Sequence, residues 1–447
     1  MKIGHKVFGQ NSLNYGLALC LWRNNITTQS VTEKTAPAYD VILFSIFWWQ
    51  HVIDFYKFCE TAKIGKCYSD SPRLVVGGFN SFNPVLFKKY AHVVVVGDGE
   101  DIILKAIRGD TSLSFYTGNE NEVIYNQCDI SDNQFIYTNE SKICRIEIAR
   151  GCPYHCKFCQ LSAMKKYREL SCDKLEAMLS HTGKRIALFS PNKTSHKEFP
   201  RIKSLVENMR KTDVVPDVRF NDVEKFYTGG TYQIGIEGIS ERLRFSVGKK
   251  LTNERYREIV SYVVQKSINE GKKPNIHVGY ILDLPTETEE DWNEFTSFLD
   301  SLQMIKNIQY FDLFFVFNMF MPAPFTPLEN ARINYEREYQ PKIRKALKWH
   351  EGNRKYSVAL HGRLFSGYSR ILSMITTRGG EDTPEIINTV EREKSIKNLP
   401  DCRKILPLKY ILKSFGGIER FVGEPKERPW DIVKISHGEL QPEPQAA

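Results

Sequence analysis

The amino-acid sequence predicts an α/β protein in three parts: a doubly wound N-terminal domain, a partial barrel of six βα units and a mostly helical, basic C-terminal region. Short apolar runs alternate with helical patterns through residues 1–110, which is typical of parallel strands joined by crossover helices. Repeated βα patterns follow from residue 144. The predicted boundaries are 1–110 for the doubly wound domain, 111–143 for a polar connector, 144–330 for the barrel and 331–447 for the C-terminal region.

The composition is that of a soluble globular protein, because 41% of the 447 residues are hydrophobic and 26% are charged. The longest apolar stretch, 311–321, is interrupted by Asp312 and Asn318 and is shorter than the ~20 residues that a membrane-spanning helix needs. Residues 17–22 are too few for the apolar core of a secretion signal. We therefore expect a cytoplasmic protein with no membrane partner and with reduced thiols.

The N-terminal domain contains three runs that read as buried strands, at residues 39–47, 73–78 and 92–96. Small or acidic residues stand where these runs end: Ser45, Gly77, Gly78, Gly97, Gly99 and Glu100. In an open α/β sheet, ligands bind beyond the carboxyl ends of the strands, where glycines let the backbone approach closely. The sequence therefore predicts a ligand site at this edge.

The barrel is predicted from six apolar runs, at residues 145–149, 185–190, 217–220, 232–237, 275–282 and 310–321. Thr286 and Glu289 have the spacing of a capping box, which begins a helix. One apolar face follows in that helix, made of Trp292, Phe295, Phe298, Leu299 and Leu302. The active site of such a barrel is expected at the carboxyl ends of the strands, and six units leave the barrel open at one side.

Cys152, Cys156 and Cys159 form a C-x3-C-x2-C run with no fourth cysteine nearby. Closely spaced thiolates are the ligands of iron–sulfur clusters, and a 4Fe-4S cluster takes four ligands, so three would leave one iron open for chemistry. A structural zinc site usually has four protein ligands. A disulfide framework fits poorly, because ten cysteines in 447 residues are few. Zinc and unrelated cysteines remain the alternatives.

With this triplet the chain resembles the radical SAM enzymes, which carry it on the loop after the first barrel strand. The resemblance implies that S-adenosylmethionine binds the open iron of a 4Fe-4S cluster and is cleaved to a 5′-deoxyadenosyl radical. It also implies that Phe158 lies near the adenine and that a flavodoxin or ferredoxin supplies electrons. No side chain is assigned a catalytic role beyond holding the cofactors.

Two further strand ends resemble the family. Ser190 and Asn192 stand where a Gly-Gly-Glu often holds the methionine amino group; that sequence is absent here, so backbone carbonyls or Asn192 would serve. Residues 235–242 resemble G-I-E-S-G-S-E-R. The resemblance implies that Glu237 lies near the ribose or amino group and that Arg242 binds the methionine carboxylate. The alternative for Arg242 is a helix-surface residue.

Residues 279–288 resemble the family's G-x-x-x-G-L-P-x-E-T. The resemblance implies that Ile281 and Leu282 flank the adenine, whereas Asp283 stands where glycine is usual, which puts a tight backbone contact there in question. The proline-rich turn at Pro322 is similar to the end of the family's sixth strand. Ordinary barrel core is the alternative interpretation of these apolar residues.

The N-terminal domain resembles the flavodoxin-like cobalamin-binding domain that precedes the barrel in one radical SAM class. The Gly-Gly and Gly-Asp-Gly-Glu strand ends match in order and spacing, which implies that Ser45, Gly77, Gly78, Gly97, Gly99 and Glu100 lie near the corrin ring or its nucleotide tail. The sequence lacks a D-x-H-x-x-G, so His5 is not expected as a lower ligand. The implied reaction is methylation of an unactivated carbon through methylcobalamin.

Two other functions stay open. Residues 331–420 contain 19 Lys and Arg against 10 Asp and Glu, which equals the whole net charge of +9. This basic region could bind RNA or a protein that a radical SAM enzyme without cobalamin modifies, or it could belong to a non-catalytic nucleic-acid-binding protein with a structural metal. A solvated helix face is the simpler interpretation of the charge.

Overall fold

The computed structural model describes residues 1–8, 20–21, 23–130, 136–137, 143–180, 185–208, 222–226, 231–271, 275–308, 312–351, 356–360, 366–393, 396 and 399–436. The chain forms two compact units. Unit 1 contains Met1–Tyr137 and Arg370–Leu440, and unit 2 contains Thr138–Ser369 and Gln441–Ala447. Over the described ranges, every helix is too short or too polar to cross a membrane.

The strands are β1 Ile3–Val7, β2 Gln29–Ser30, β3 Val41–Ser45, β4 Arg73–Gly77, β5 Val93–Val95, β6 Phe115–Tyr116, β7 Val123–Ile124, β8 Ile136–Tyr137, β9 Ile143–Glu147, β10 Ala149–Arg150, β11 Arg168–Glu169, β12 Arg185–Phe189, β13 Thr231–Glu237, β14 Asn275–Leu282, β15 Asp312–Met319, β16 Tyr356–Leu360 and β17 Val433–Lys434.

The helices are α1 Trp49–Ala62, α2 Ile103–Arg108, α3 Gln160–Met164, α4 Cys172–Ser180, α5 Phe199–Asn208, α6 Val223–Phe226, α7 Glu241–Ser246, α8 Asn253–Asn269, α9 Glu289–Gln303, α10 Gln340–Glu351, α11 Gly367–Arg378, α12 Thr383–Arg392, α13 Asp401–Leu412 and α14 Glu419–Val422.

Unit 1 is built on one sheet with the strand order β2-β1-β3-β4-β5-β6. Every neighbouring pair is parallel except β5 and β6. The first five strands follow the flavodoxin-like order, in which the chain changes direction between β1 and β3. All of β3 is buried because apolar residues cover both of its faces. The three predicted N-terminal strands are present as β3, β4 and β5.

The C-terminal segment completes unit 1. Strand β17 pairs in parallel with β7, and the Asn83 side-chain amide donates hydrogen bonds to the carbonyl oxygens of Thr377 (3.1 Å) and Gly379 (3.0 Å). The predicted boundaries therefore need correction. The predicted connector contains β6 and β7, which pair with β5 and β17, and the predicted C-terminal region is divided between the two units.

Unit 2 contains the parallel pair β9 and β12 and a four-stranded parallel sheet in the order β13-β14-β15-β16. Its core lies between this sheet and the helices α8 and α9, where Tyr256, Tyr280 and Phe295 are buried. Strand β16 was not predicted, and the strand predicted at 217–220 lies outside the described residues. The βα pattern is thus present, while the open, partial barrel of six βα units stays a prediction.

The N-cap of helix α9 lies two residues after the predicted one at Thr286. Thr288 is the N-cap, and its backbone N–H donates to the Asp291 carboxylate at 2.8 Å. Thr286 instead has a positive φ of 72°, which a residue inside a helix does not adopt. The predicted apolar face is confirmed, because all five of its side chains are buried.

Candidate functional site

A tightly fixed backbone leads into the cysteine loop of unit 2. Arg150 is buried and donates two hydrogen bonds to the Glu147 carboxylate, at 3.0 and 2.6 Å. Gly151 follows with a φ of 79°, and a Cβ there would lie 2.5 Å from the Lys166 carbonyl oxygen. Only glycine fits this turn, which starts the cysteine loop (residues 152–159) at a fixed place.

The three cysteines are partly exposed on this one loop between β10 and α3. Burial, together with the neighbouring thiols of Cys159 and Cys156, raises the pKa of Cys152 to about 11. Among the described residues, no three His, Cys, Asp or Glu side chains already form a complete metal site. The donor set still fits an iron–sulfur cluster, because these three thiols share one loop and would bind as thiolates with release of their protons.

The cysteine loop lies against the segments that follow β13 and β15. The Lys157 N–H donates to the Val247 carbonyl oxygen at 3.1 Å, and a Cβ on Gly248 would lie 3.3 Å from the His155 carbonyl oxygen. The Gln160 side chain donates to the Pro324 carbonyl oxygen at 3.3 Å. Phe158 packs against the core of the β13–β16 sheet. These contacts bring the cysteines to the carboxyl ends of the strands, as the sequence predicted.

The residues after β12 offer an unsatisfied hydroxyl. The Ser190 Oγ is buried, and no hydrogen-bond partner reaches it from the described residues. Asn192 is held differently, because its side-chain oxygen accepts a hydrogen bond from the Thr194 hydroxyl at 2.9 Å. A buried hydroxyl without a partner costs free energy, so Ser190 fits a ligand-facing position.

Strand β13 ends in a strained residue. Glu237 has a φ of 74° at a bulge in the β13–β14 pairing. Burial raises the pKa of Glu237, although the Lys249 ammonium lies 3.4 Å from its Oε1. Lys249 also donates to the Gly235 carbonyl oxygen at 3.1 Å. A buried carboxylate in a costly backbone conformation at a strand end is typical of a functional site.

Arg242 is held at the junction of two helices. Its guanidinium donates to the Asp291 carboxylate at 2.5 Å and to the Thr286 carbonyl oxygen at 2.8 Å, which ties α7 to the start of α9. The side chain is 51% exposed. It lines an open depression of about 480 Å³ together with Glu241, Phe245, Asn253 and Glu294. This placement favours the helix-surface alternative.

The end of β14 explains why glycine is usual at position 283. Asp283 has a φ of 64°, in the left-handed region that favours glycine. Its carboxylate accepts hydrogen bonds from the Tyr339 hydroxyl (2.8 Å) and the Asn334 N–H (3.0 Å), which hold this conformation. Leu282 is fully buried and Ile281 packs against the core. The apolar residues therefore fit barrel core, and their contact with adenine stays a prediction; Pro322 is likewise buried.

The glycines of unit 1 pack mainly against their own chain. A Cβ on Gly78 would lie 2.6 Å from the Ile46 carbonyl oxygen, and one on Gly97 would lie 2.6 Å from the Asn126 nitrogen. Gly77 and Gly99 have more room, since their nearest neighbours are Val95 atoms at 3.7 and 3.8 Å. Close backbone packing alone therefore explains why glycine stands at Gly78 and Gly97, two of the four glycines predicted to lie near the cofactor.

The other predicted residues of this edge are buried. Ser45 ends β3 and is 5% exposed, while Glu100 is buried and its carboxylate lies 3.6 Å from the Cys128 thiol. The structure brings these residues to the carboxyl edge of the sheet, but Glu100 already has a partner there. The residues that follow β1 at this edge, 9–19, lie outside the described residues.

Two residues of this edge were missed by the sequence analysis. Trp48 follows β3 at the N-cap of α1 and is 67% exposed, and Asn80 follows β4 and is 5% exposed. Within the described residues, the Asn80 side-chain nitrogen is buried without a hydrogen-bond partner. The exposed ring after β3 and the unsatisfied donor after β4 leave two groups at this edge of the sheet that a ligand can contact. A tryptophan directly after a predicted strand was the available signal.

One segment of the chain matches a known family, and most of the chain is similar to one curated protein. Residues 146–299 match the model of the Radical SAM superfamily, a segment that contains all three cysteines. The chain is 23% identical over 388 residues to the uncharacterized protein MJ0966 of Methanocaldococcus jannaschii, covering 80% of this chain and 82% of that protein.

Solved structures show weaker likeness. The cobalamin-dependent S-adenosylmethionine radical enzyme OxsB, with aqua-cobalamin bound, matches 93% of this chain and 71% of its own, at 14% identity and a TM-score of 0.49. SuiB of Streptococcus suis, bound to S-adenosylmethionine, matches 51% of this chain and 52% of its own, at 13% identity and a TM-score of 0.31. At these scores the likeness transfers no cofactor or reaction to this chain.

Proposed function

We propose that the chain, whose residues 146–299 match the model of the Radical SAM superfamily, is a radical SAM enzyme that holds a 4Fe-4S cluster through Cys152, Cys156 and Cys159 and binds S-adenosylmethionine in unit 2. We further propose that unit 1 binds cobalamin and that the reaction is methylation of an unactivated carbon. When bound, the cluster supplies the electron that cleaves S-adenosylmethionine to methionine and a 5′-deoxyadenosyl radical.

The position of the cysteine loop carries this proposal. The loop lies against the segments after β13 and β15, so a cluster on its thiols would face the carboxyl ends of the parallel strands. Ser190 and Glu237 lie at two of these ends, one with an unsatisfied hydroxyl and the other with a buried carboxylate. Such groups can hold the ribose and amino groups of the cofactor and exclude water from it.

The observations that support cobalamin binding all come from unit 1. The strand order places a switch point between β1 and β3, and ligands bind at such points in doubly wound sheets. Trp48 offers an exposed ring there, and Asn80 offers a buried donor. Asn80 would bond an amide oxygen of the corrin periphery, while Trp48 would cover part of its apolar face.

The first experiment tests the cluster. We expect anaerobically reconstituted protein to bind iron, to absorb as an iron–sulfur protein and to release 5′-deoxyadenosine from S-adenosylmethionine under reducing conditions. Cys156→Ala should lose this product by about 100-fold or more, since one of three ligands is missing. Cys67→Ser, which changes an exposed cysteine of unit 1, is the matched control. Undiminished product from Cys156→Ala would contradict the proposal.

The second experiment tests cobalamin. The reconstituted protein is incubated with hydroxocobalamin and separated by gel filtration, and co-eluting corrin absorbance is expected. A cluster without corrin would support a radical SAM enzyme that modifies RNA or a protein. Stoichiometric zinc without iron would support a nucleic-acid-binding protein instead.

Radical SAM enzymes generally need a reductant, and we propose a flavodoxin or ferredoxin in the cytoplasm. The basic region gives less support to an RNA substrate. In α10, Arg344 and Lys345 are exposed, whereas Ile343, Ala346 and Leu347 belong to the core of unit 2. This is the pattern of an amphipathic helix with a solvated basic face.

A further inference from the structure

Lys249 is the cation of unit 2 that lies between the cysteine loop and the end of β13. The preceding residues Val247 and Gly248 contact the loop directly, through the hydrogen bond from Lys157 and the close approach to His155. The Lys249 ammonium bonds the Gly235 carbonyl oxygen and lies 3.4 Å from Glu237. Its side chain is 18% exposed, so its charge is only partly screened by water.

The place of Lys249 is set by its own segment, because Gly248, the residue directly before it, approaches the His155 carbonyl oxygen of the cysteine loop. Arg242 has a different environment, because Asp291 and Thr286 already accept its hydrogen bonds at the junction of α7 and α9. Lys249, on the α7–α8 connection, is therefore a second candidate beside the predicted Arg242 for a cation that meets a ligand of the cysteine loop.

Lys249 and Glu237 form a pair of opposite charges that suits the two ends of an α-amino acid. An ammonium has three donors, and the contacts to Gly235 and Glu237 use two of them. The third can reach a carboxylate, while Glu237 can accept from an amino group. S-Adenosylmethionine presents both groups on one carbon atom.

We propose that Lys249, rather than Arg242, binds the methionine carboxylate of S-adenosylmethionine beside the cluster. This inference rests on the proposed function. Glu237 then binds the amino group. The Lys249–Glu237 pair recognises the amino-acid end of the cofactor independently of its adenine.

The test compares S-adenosylmethionine with its decarboxylated analogue, which lacks only the carboxylate. Equilibrium dialysis against reconstituted protein gives a dissociation constant for each ligand. Lys249→Met should weaken S-adenosylmethionine binding by about 10- to 100-fold, the size of a lost charge-assisted hydrogen bond. Binding of the analogue should change by less than about 3-fold, because coupling requires both partners. Lys249→Arg should keep most of the preference for S-adenosylmethionine over the decarboxylated analogue, since the positive charge is retained.

Lys250→Met, at the exposed neighbouring lysine, is the matched control, and Arg242→Met tests the competing assignment. The inference is overturned if Lys249→Met weakens both ligands equally, which is the result for a merely structural lysine, or if Arg242→Met shows the carboxylate-dependent loss. If the unaltered protein binds a cluster but no S-adenosylmethionine, the proposed function itself fails, and the two failures are thus distinguishable. Iron content and retained analogue binding show that each variant is folded.

Discussion

Three glutamates that are wholly or partly buried, one in unit 1 and two in unit 2, have pKa values shifted in opposite directions. In unit 1, burial alone would raise the pKa of Glu60, but hydrogen bonds from Tyr90, Lys89 and Tyr68 outweigh it and lower the pKa to about 2. In unit 2, burial raises the pKa of Glu237 and of Glu287, and their partners do not offset it. Hydrogen bonds thus outweigh burial at Glu60, whereas burial outweighs the favourable partners of Glu237 and Glu287.

The direction of a pKa shift tells whether the ionised carboxylate stabilises the folded protein. A lowered pKa means that the ionised Glu60 stabilises the folded protein at neutral pH, whereas a raised pKa means that ionised Glu237 and Glu287 cost stability. A costly charge at a strand end, as at Glu237 in β13, is typical of a site that has a ligand to bind.

The largest loss of folding stability is expected when glycines of unit 1 are substituted. Gly97→Ala should lower the free energy of unfolding by about 3 kcal/mol or more, because a φ of 99° and the Asn126 backbone both oppose a side chain. Gly99→Ala should leave stability nearly unchanged and weaken corrin retention. Hydrogen exchange resolved by peptide measures the loss within unit 1. Equal losses in both variants would mean that neither glycine is kept for a ligand.

The next effect is expected at Asp283 in unit 2. Asp283→Ala should lower the free energy of unfolding by about 2–4 kcal/mol, since it removes a buried acceptor and leaves the Tyr339 hydroxyl unsatisfied. Tyr339→Phe, which removes only one donor, should lower the free energy of unfolding by less. Urea denaturation followed by peptide-resolved hydrogen exchange compares the stability of the two variants. An Asp283→Ala variant with unchanged stability would show that the carboxylate does not hold this turn.

A smaller effect is expected at Glu60, with a defined pH dependence. Its lowered pKa contributes stability that is fully present above about pH 4.5 and is lost as the pH falls towards 2. Glu60→Gln should therefore cost about 1–3 kcal/mol at pH 7 and little at pH 2. The exposed Glu122→Gln is the control. Thermal unfolding across this pH range measures the difference, and a pH-independent loss would place the effect in packing.

The smallest effect is expected on the basic face of α10. The double substitution of Arg344 and Lys345 by Ala should change the free energy of unfolding by no more than about 0.5 kcal/mol, because both side chains are exposed. RNA affinity, measured by gel shift at two salt concentrations, should stay the same. A loss of affinity together with a weaker salt dependence would instead favour an RNA substrate.

The features predicted correctly from the sequence are those defined by residues close together in the chain. The cysteine loop and strands β3, β4 and β14 were found because ligand spacing and apolar runs can be recognised in consecutive residues. Strands β6 and β7 were missed, since two-residue strands have no detectable period. Their pairing depends on partners distant in the chain.

The charged residues of the site could be found only in part. Glu237 was predicted from its motif, but the pairing of Arg242 with Asp291 depends on how α7 packs beside α9. Lys249 has no motif of its own, and its place beside the cysteine loop follows from the turn at Gly248. Charge positions that arise from packing of distant segments are therefore the least accessible to sequence analysis.

The two-segment composition of unit 1 has a consequence for synthesis on the ribosome. The N-terminal sheet emerges first, and Thr138–Ser369 of unit 2 are translated before the segment that supplies Thr377, Gly379 and β17. Until then, the amide of Asn83 lacks these acceptors and β7 lacks its partner strand β17. Nascent chains halted before residue 370 would therefore expose an unpaired β7 to chaperones and proteases after most of unit 2 has been made.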